Sequence, residues 1–116
     1  MRYLLSWHIR ESELHERSPE WREEALAFLT VFEDELQANS ELEWVEALSA
    51  ESQSVVVGPG GDVREGVYNQ AGKPSVRIWV VRVENSARAQ EIAARIAGEL
   101  DTWIEVRECF VGAQRP

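Results

Sequence analysis

The sequence predicts one α+β domain built on an antiparallel sheet, and three observations lead to this prediction. The chain has 116 residues, of which 44% are hydrophobic, a size and composition that suit a single domain with one core. Two long segments repeat apolar residues with the period of an amphipathic helix, and several shorter segments have the alternation or the β-branched composition of strands. These segments follow one another as strand, helix, strand, short hairpin, strand, helix and strand.

The first half of the chain contains the first strand, the first long helix and a second strand. From Arg2 to Ile9, every second residue is a large apolar one, which is the period of a strand. A charged connector follows, after which Ser18 and Pro19 are typical of a helix N-cap and first turn. The helix is predicted over about 19–38, and its apolar stripe consists of Trp21, Ala25, Phe28, Leu29, Phe32 and Leu36. A second strand is expected from Leu42, although acidic residues interrupt it.

The second half predicts a hairpin, a central strand, a second helix and a last strand. The segments 54–57 and 63–68 flank a turn rich in glycine and proline, so they are expected to pair. The segment 76–83 is apolar at six of its eight positions, which favours a central strand covered on both faces. Ser86 is the predicted N-cap of the second helix, and the last strand is expected within 102–110. The domain is predicted to span 1–111, with 112–116 as a loose tail.

This order of elements is that of the split βαβ, or ferredoxin-like, βαββαβ arrangement with an extra hairpin. Two helices cover only one face of such a sheet. The other face is expected to carry Leu4 or Leu5 together with parts of the segments 76–83 and 103–110, an apolar patch too large for a monomer to expose. We therefore predict a homodimer in which these faces stack, with an interface of about 800 Å² per partner.

Composition excludes several classes of partner and cofactor. The formal net charge of −9 disfavours binding to nucleic acid or to anionic membranes. The single cysteine, Cys109, cannot form an internal disulfide, and the opening apolar run is too short for a signal peptide, so we expect a cytoplasmic protein. No metal or other cofactor is expected, because the two histidines lack ligand spacing. The glycines at 58–61 also lack the lysine and the following helix of a phosphate-binding loop.

Four segments carry a resemblance to a known family. They are Met1-Arg2-Tyr3-Leu4-Leu5, Phe32-Glu33-Asp34-Glu35-Leu36, Glu65-Gly66-Val67-Tyr68 and Ile104-Glu105-Val106-Arg107. With them the chain resembles the YCII-related family, in the group named for its Asp-Gly-Pro-Phe loop, within the dimeric α/β-barrel superfamily. The third segment lies where that loop would fall, with the glycine identical, and the next four residues, 69–72, depart from the family's Ala-Glu-Thr-Lys. The resemblance implies a ferredoxin-like fold, a dimer formed by sheet-to-sheet packing and a cleft near the loop.

Some members of this family look like small lyases or dehydrochlorinases that use a histidine and an aspartate. The corresponding candidates here are His8, at the end of the first strand, as an acid-base group, and Glu65, which stands at the position of the family's aspartate. The alternatives are a strand-end histidine bonded to backbone, and a surface charge paired with Arg64 or Lys73. His15, among acidic residues, is interpreted as a solvated surface residue.

Four further residues are candidates for contact with a ligand. Ser6 shares a strand face with His8, Asp62 lies in the hairpin turn, Tyr68 offers a phenolic donor and Trp79 offers a flat apolar surface. Packing is the alternative role for the two aromatic residues. The loop 62–72 is predicted to fold back over the end of the sheet near His8. Two functions follow: a dimeric small-molecule-binding module, which we favour, and a lyase- or isomerase-type enzyme with a histidine–carboxylate pair as the alternative.

Overall fold

The structure, a computed structural model, describes residues 1–112, so the predicted tail beyond Gly112 lies outside the described residues. Its six strands are β1 (Arg2–His8), β2 (Leu42–Ala47), β3 (Val55–Val57), β4 (Val63–Glu65), β5 (Ser75–Arg82) and β6 (Ile104–Glu108). Its three α-helices are α1 (Glu11–Glu16), α2 (Pro19–Ala38) and α3 (Ser86–Leu100), and a 3₁₀ turn covers Glu51–Gln53. No helix within residues 1–112 is long and apolar enough to cross a membrane.

Four of the strands form an open antiparallel sheet in the order β2-β5-β1-β6, and β3 and β4 pair as a separate ribbon. The predicted α+β class and antiparallel sheet are confirmed. The strand order is compatible with a ferredoxin-like arrangement, in which the first and third strands of the main sheet lie at its centre. Leu5 lies opposite Trp79 on one side and Val106 on the other, and this register fixes which side chains share a face.

The core lies between the sheet and the helices α2 and α3. The odd-numbered residues of β1 are buried there, as the alternation predicts, together with Trp79 and Val81 of β5. Helix α2 contributes Ala25, Leu29, Phe32 and Leu36, and helix α3 contributes Ala89, Ile92, Ala93, Ile96 and Leu100. Each large apolar side chain buried in this way stabilises the fold by about 1.5–3 kcal/mol.

The sheet face without helices is less apolar than predicted. Its centre holds Leu4, Ile78 and Val80, which share this face because Leu4 lies opposite Val80 and Ser6 opposite Ile78. The β6 contribution was expected to be apolar, but β6 presents Glu105 and Arg107 here. Its apolar residues, Ile104 and Val106, pack against the core instead, because a strand turns alternate side chains to opposite faces.

Two local predictions need correction, and both concern helix starts. The charged connector was not expected to be helical, yet α1 forms there without a buried residue. Its first backbone N–H, that of Glu11, donates to the carboxylate of Glu51 at 3.0 Å, so a distant residue satisfies the helix end. The N-cap of α3 is Asn85 rather than Ser86, since the Asn85 Oδ1 accepts from the Arg88 N–H at 3.0 Å. The Ser18 cap of α2 is confirmed, because its Oγ accepts a hydrogen bond of 3.0 Å from the backbone N–H of Trp21.

Candidate functional site

A cavity of about 500 Å³ lies on the helix side of the sheet, where β1 ends and β5 begins. Trp7 and Ile9 form part of its wall, and α1 adds Leu14. The segment 47–51 after β2 and the segment 74–77 at the start of β5 close further sides. Val67, within the loop that follows β4, also lines the cavity. Most of these side chains are apolar, so the cavity suits an organic molecule more than a bare ion.

Arg10 holds together the segments that surround the cavity. Its Nη1 donates to Glu51 at 2.9 Å, and its Nη2 donates to the carbonyl of Gln70. The link to Glu51 fixes the 3₁₀ turn, and the link to Gln70 fixes the loop after β4. Because the side chains of Arg10 and Glu51 are only 26% and 20% exposed, their charges are screened less than those of a surface pair. One side chain therefore positions two walls.

The loop 66–74 is anchored at two further points. The Ile9 N–H donates to the carbonyl of Pro74 at 3.1 Å, and the Lys73 ammonium donates to the Glu13 carboxylate at 2.9 Å. The Lys73 hydrogen bond lowers the pKa of Glu13 below its usual range. Gly66, at the start of this loop, has a φ of +100°, a conformation that favours glycine. The backbone conformation thus favours glycine at this position of the loop.

A partly buried ion pair borders the cavity at β5. Arg77 donates to both carboxylate oxygens of Glu33, at 2.8–3.0 Å, and the Trp79 Nε1 donates to the same carboxylate at 2.7 Å. Glu33 therefore neutralises the guanidinium that lines the cavity. Arg77 therefore lines the cavity as a hydrogen-bonded side chain whose charge is already paired.

Trp7 supplies an unused hydrogen-bond donor at the cavity wall. The residue is 7% exposed, and its Nε1 is buried without a hydrogen-bond partner within residues 1–112. A buried donor left unpaired costs about 1–3 kcal/mol, so such atoms are rare in stable cores.

Helix α1 adds two ionisable residues to the cavity lining. The Glu11 carboxylate lies 3.9 Å from the Nε2 of His15, and both residues line the cavity. His15 is largely exposed, in agreement with its interpretation as a surface residue. Because Arg10 neutralises Glu51 and Glu33 neutralises Arg77, Glu11 is left as the lining carboxylate without an arginine or lysine partner among the described residues. This excess of negative charge disfavours anionic ligands.

His8 and Ser6 lie on the opposite face of the sheet from this cavity. The Nδ1 of His8 is 3.1 Å from the carbonyl oxygen of Lys73, and the Ser6 hydroxyl is 2.9 Å from that of Ser75. His8 borders a shallow groove of about 390 Å³ together with Trp103 and Glu105. The contact to the His8 ring comes from Lys73, which lies just after the predicted loop 62–72.

The structure does not bring the other predicted residues to that groove. Glu65 and Asp62 lie exposed in the hairpin, and Glu65 makes no hydrogen bond or ion pair through its side chain to any described residue. Tyr68 is 85% exposed. Trp79 is fully buried on the helix side, where it packs in the core. Of the six predicted site residues, His8 and Ser6 are neighbours on one face, and Glu65 does not line the groove beside them.

The residues that form the cavity were not predicted as a site. Trp7 and Ile9 follow the alternation of a core strand, so their pattern indicates packing. Glu51 and Val67 lie in connections that have no periodic pattern at all. The one sequence feature near this site is the bulky side chain of Trp7, which lies close to the charged stretch 10–17. This feature alone does not predict a cavity.

Comparison with known proteins adds no assignment. The chain matches no protein-family model, and a search of curated proteins found no significant match. Within residues 1–112, no group of three or more histidine, cysteine, aspartate or glutamate side chains could hold a metal ion.

Proposed function

We propose that the protein is a small-molecule-binding module that acts as a homodimer. The cavity beside Trp7 is the observation that carries the proposal. Its volume of about 500 Å³ lies within the range of about 300–1,000 Å³ that is usual for ligand sites. Its walls combine apolar side chains with a few fixed polar groups, which is the usual composition of a site that binds an organic ligand.

The charges at the cavity restrict the class of ligand. Arg77, which lines the cavity, is already paired with Glu33, and the lining carboxylate Glu51 is paired with Arg10. An anionic ligand would have to compete with Glu33 for Arg77 and would also meet the carboxylate of Glu11. A neutral, mainly apolar molecule fits better.

Filling the cavity tests this proposal. N-phenyl-1-naphthylamine, a neutral dye that fluoresces in apolar surroundings, is expected to bind the wild-type protein saturably. Ala47→Trp places a large side chain at the cavity wall and should weaken dye binding at least 10-fold. Ala27→Trp, on an exposed position of α2, is the matched control and should leave binding unchanged. Absence of saturable binding by the wild type, or equal binding by both variants, would contradict the proposal.

The proposed assembly is the dimeric α/β barrel of the YCII-related family. The compatible strand order supports it, as does the positive φ of Gly66 within the motif-like segment. The accessible surface of 8127 Å² also supports it, because a compact monomer of this mass exposes about 6,400 Å². A second copy stacked on Leu4, Ile78 and Val80 would cover part of this excess. Sedimentation at micromolar concentration should give a dimer, and a 13.2 kDa species would contradict the proposed assembly.

We also propose a cytoplasmic location, with which the lone Cys109 is consistent.

A lyase- or isomerase-type enzyme is the second candidate, and the groove beside His8 favours it. A carbonyl oxygen only accepts hydrogen bonds, so the Lys73 carbonyl holds the proton of a neutral His8 on Nδ1 and leaves Nε2 free to act as a base. Glu105 is the carboxylate that shares this groove. His8→Gln would abolish such an activity and leave dye binding in the cavity intact, which separates the two candidates.

A further inference from the structure

The hairpin β3–β4 exposes an apolar surface on one face. Val57 lies opposite Val63 in the ribbon, and Val55 lies two residues before Val57, so the three valines share a face. They are 57–63% exposed. Glu65, opposite Val55, lies on the same face as the valines. The other face carries Val56, which is partly buried, and Arg64, which is exposed. The three valines are therefore the exposed apolar part of the ribbon.

We propose that this hairpin is an arm that packs its valine face against a second copy of the chain. The inference rests on the homodimer of the proposed function and adds a second contact to it, made by the arm and separate from the stacked residues Leu4, Ile78 and Val80. A ribbon of three residues per strand is too small to be stable alone. Valine on both strands is suited to a covered surface, since β-branched residues stabilise strands chiefly by packing.

The dimensions of the chain favour a second copy as the occupant. The radius of gyration is 15.7 Å and the extents are 44 × 43 × 19 Å, whereas a compact chain of this length has a radius near 13 Å. The surface exceeds that of a compact monomer by about 1,700 Å², and a stable interface needs about 800 Å² per partner. A flat molecule with a projecting ribbon has the surplus area that dimer formation removes.

The charges beside the valines complement those of the helix-free face. The hairpin carries Asp62 and Glu65, whose side chains make no ion pair within residues 1–112. The helix-free face carries Arg107, which likewise makes no ion pair with any described residue. An arm that reaches this face of a second copy brings opposite charges together, which favours the encounter although both chains are acidic.

The arm is also connected to the cavity. Its two ends are joined by the Gly66 N–H, which donates to the Ser54 carbonyl at 2.8 Å. Ser54 and Val67, on either side of the hairpin, both line the cavity. A partner that holds the arm therefore also fixes one wall of the cavity, so dimer formation should strengthen ligand binding.

Sedimentation of arm variants of the full chain tests the inference. Val57→Lys should raise the dimer dissociation constant at least 10-fold, and the added positive charge lowers the net negative charge, so increased repulsion cannot explain the loss. Val31→Lys is the matched control, because Val31 has a similar exposure on α2 and its substitution should leave the dimer intact. The milder Val57→Thr should weaken the dimer about threefold if the lysine variant does not fold.

Hydrogen exchange gives an independent measurement. Amides of residues 55–65 should exchange at least 10-fold more slowly when the wild type is concentrated enough to dimerise than when it is diluted. A wild-type monomer would overturn both the homodimer and the arm. A wild-type dimer that Val57→Lys leaves equally tight, with exchange in 55–65 unchanged on dilution, would overturn the arm alone and leave the homodimer standing.

Discussion

The sheet body and the cavity segments of this chain are held together in different ways. The body consists of β1, β2, β5, β6, α2 and α3, and the cavity segments are α1 and residues 48–74. All buried apolar side chains lie in the body or directly beside its strands, and none lies in the cavity segments. Those segments are attached through polar contacts such as Arg10 with Glu51 and Lys73 with Glu13. The cavity walls that α1 and residues 48–74 form can therefore adjust, while Trp7 and Ile9 stay fixed in the core.

Truncating the core should give the largest effect of this comparison. Trp79→Ala removes a fully buried indole and leaves Glu33 without one of its donors. We expect the free energy of unfolding to fall by about 3–5 kcal/mol, as measured by urea denaturation. Trp103→Ala is the control, because Trp103 is 93% exposed and its loss should cost less than about 0.5 kcal/mol. Equal losses for the two variants would show that the body is not the stabilising part.

Loosening the cavity segments should have a smaller and local effect. Arg10→Met removes two hydrogen bonds that the charged guanidinium donates, one to Glu51 and one to the carbonyl of Gln70. We expect local opening of residues 48–53 and 66–74 to become easier by about 1–2 kcal/mol, while exchange of the β1 and β5 amides stays unchanged. Arg22→Met, on an exposed position of α2 without a side-chain partner among the described residues, is the control. Equal acceleration throughout the body would contradict the division into two parts.

The same division explains what the sequence could predict. The body was predictable because each of its elements has a buried face, and a buried face leaves a period in the sequence. The alternation of β1 and the stripe of α2 are both confirmed, with the Ser18 cap at the predicted position. The prediction that β6 turns its apolar side chains to the helix-free face was wrong. Ile104 and Val106 alternate with charged residues, and this alternation does not indicate which of the two sets faces the core. Only pairing with β1 decides which set faces the core.

The cavity was not predictable because no local pattern specifies it. Trp7, Glu51, Val67 and Arg77 come from four separate stretches, and the contacts that assemble them join residues 40 or more positions apart. Helix α1 illustrates the cause, since Glu51 satisfies its first N–H from across the fold. The resemblance to the YCII-related family directed attention to the loop 65–68 instead, where Gly66 is needed by the backbone and Glu65 has no partner among the described residues.

A pH titration tests an ion pair within the body. Arg88 donates two hydrogen bonds of 2.8 Å to Glu41 and thereby lowers the pKa of that carboxyl below 4.5. Because the folded pKa is lower than the unfolded one, the pair stabilises the protein above pH 4.5, and this contribution disappears as the pH falls through the lower folded value.

Glu41→Gln should accordingly cost about 1 kcal/mol at pH 7 and less at pH 3, because the contribution of the ion pair declines once the pH falls below 4.5. Urea denaturation at both pH values measures the difference. Glu99→Gln serves as the control, since Glu99 is exposed and its side chain has no partner within residues 1–112. A cost that is the same at both pH values would mean that Glu41 acts through packing and not through its charge.

The smallest effect is expected at Glu65, where the family resemblance and the geometry disagree. Glu65 is exposed in β4 and does not line the cavity, so Glu65→Gln should change the free energy of unfolding by less than about 0.5 kcal/mol. Affinity for N-phenyl-1-naphthylamine should stay within twofold of the wild type. Glu51→Gln, at the cavity wall, loses the charge that orients Arg10 and should weaken dye binding several-fold. If Glu65→Gln instead weakens binding 10-fold while Glu51→Gln does not, the ligand lies at the motif-like loop, and the site implied by the family resemblance is the better one.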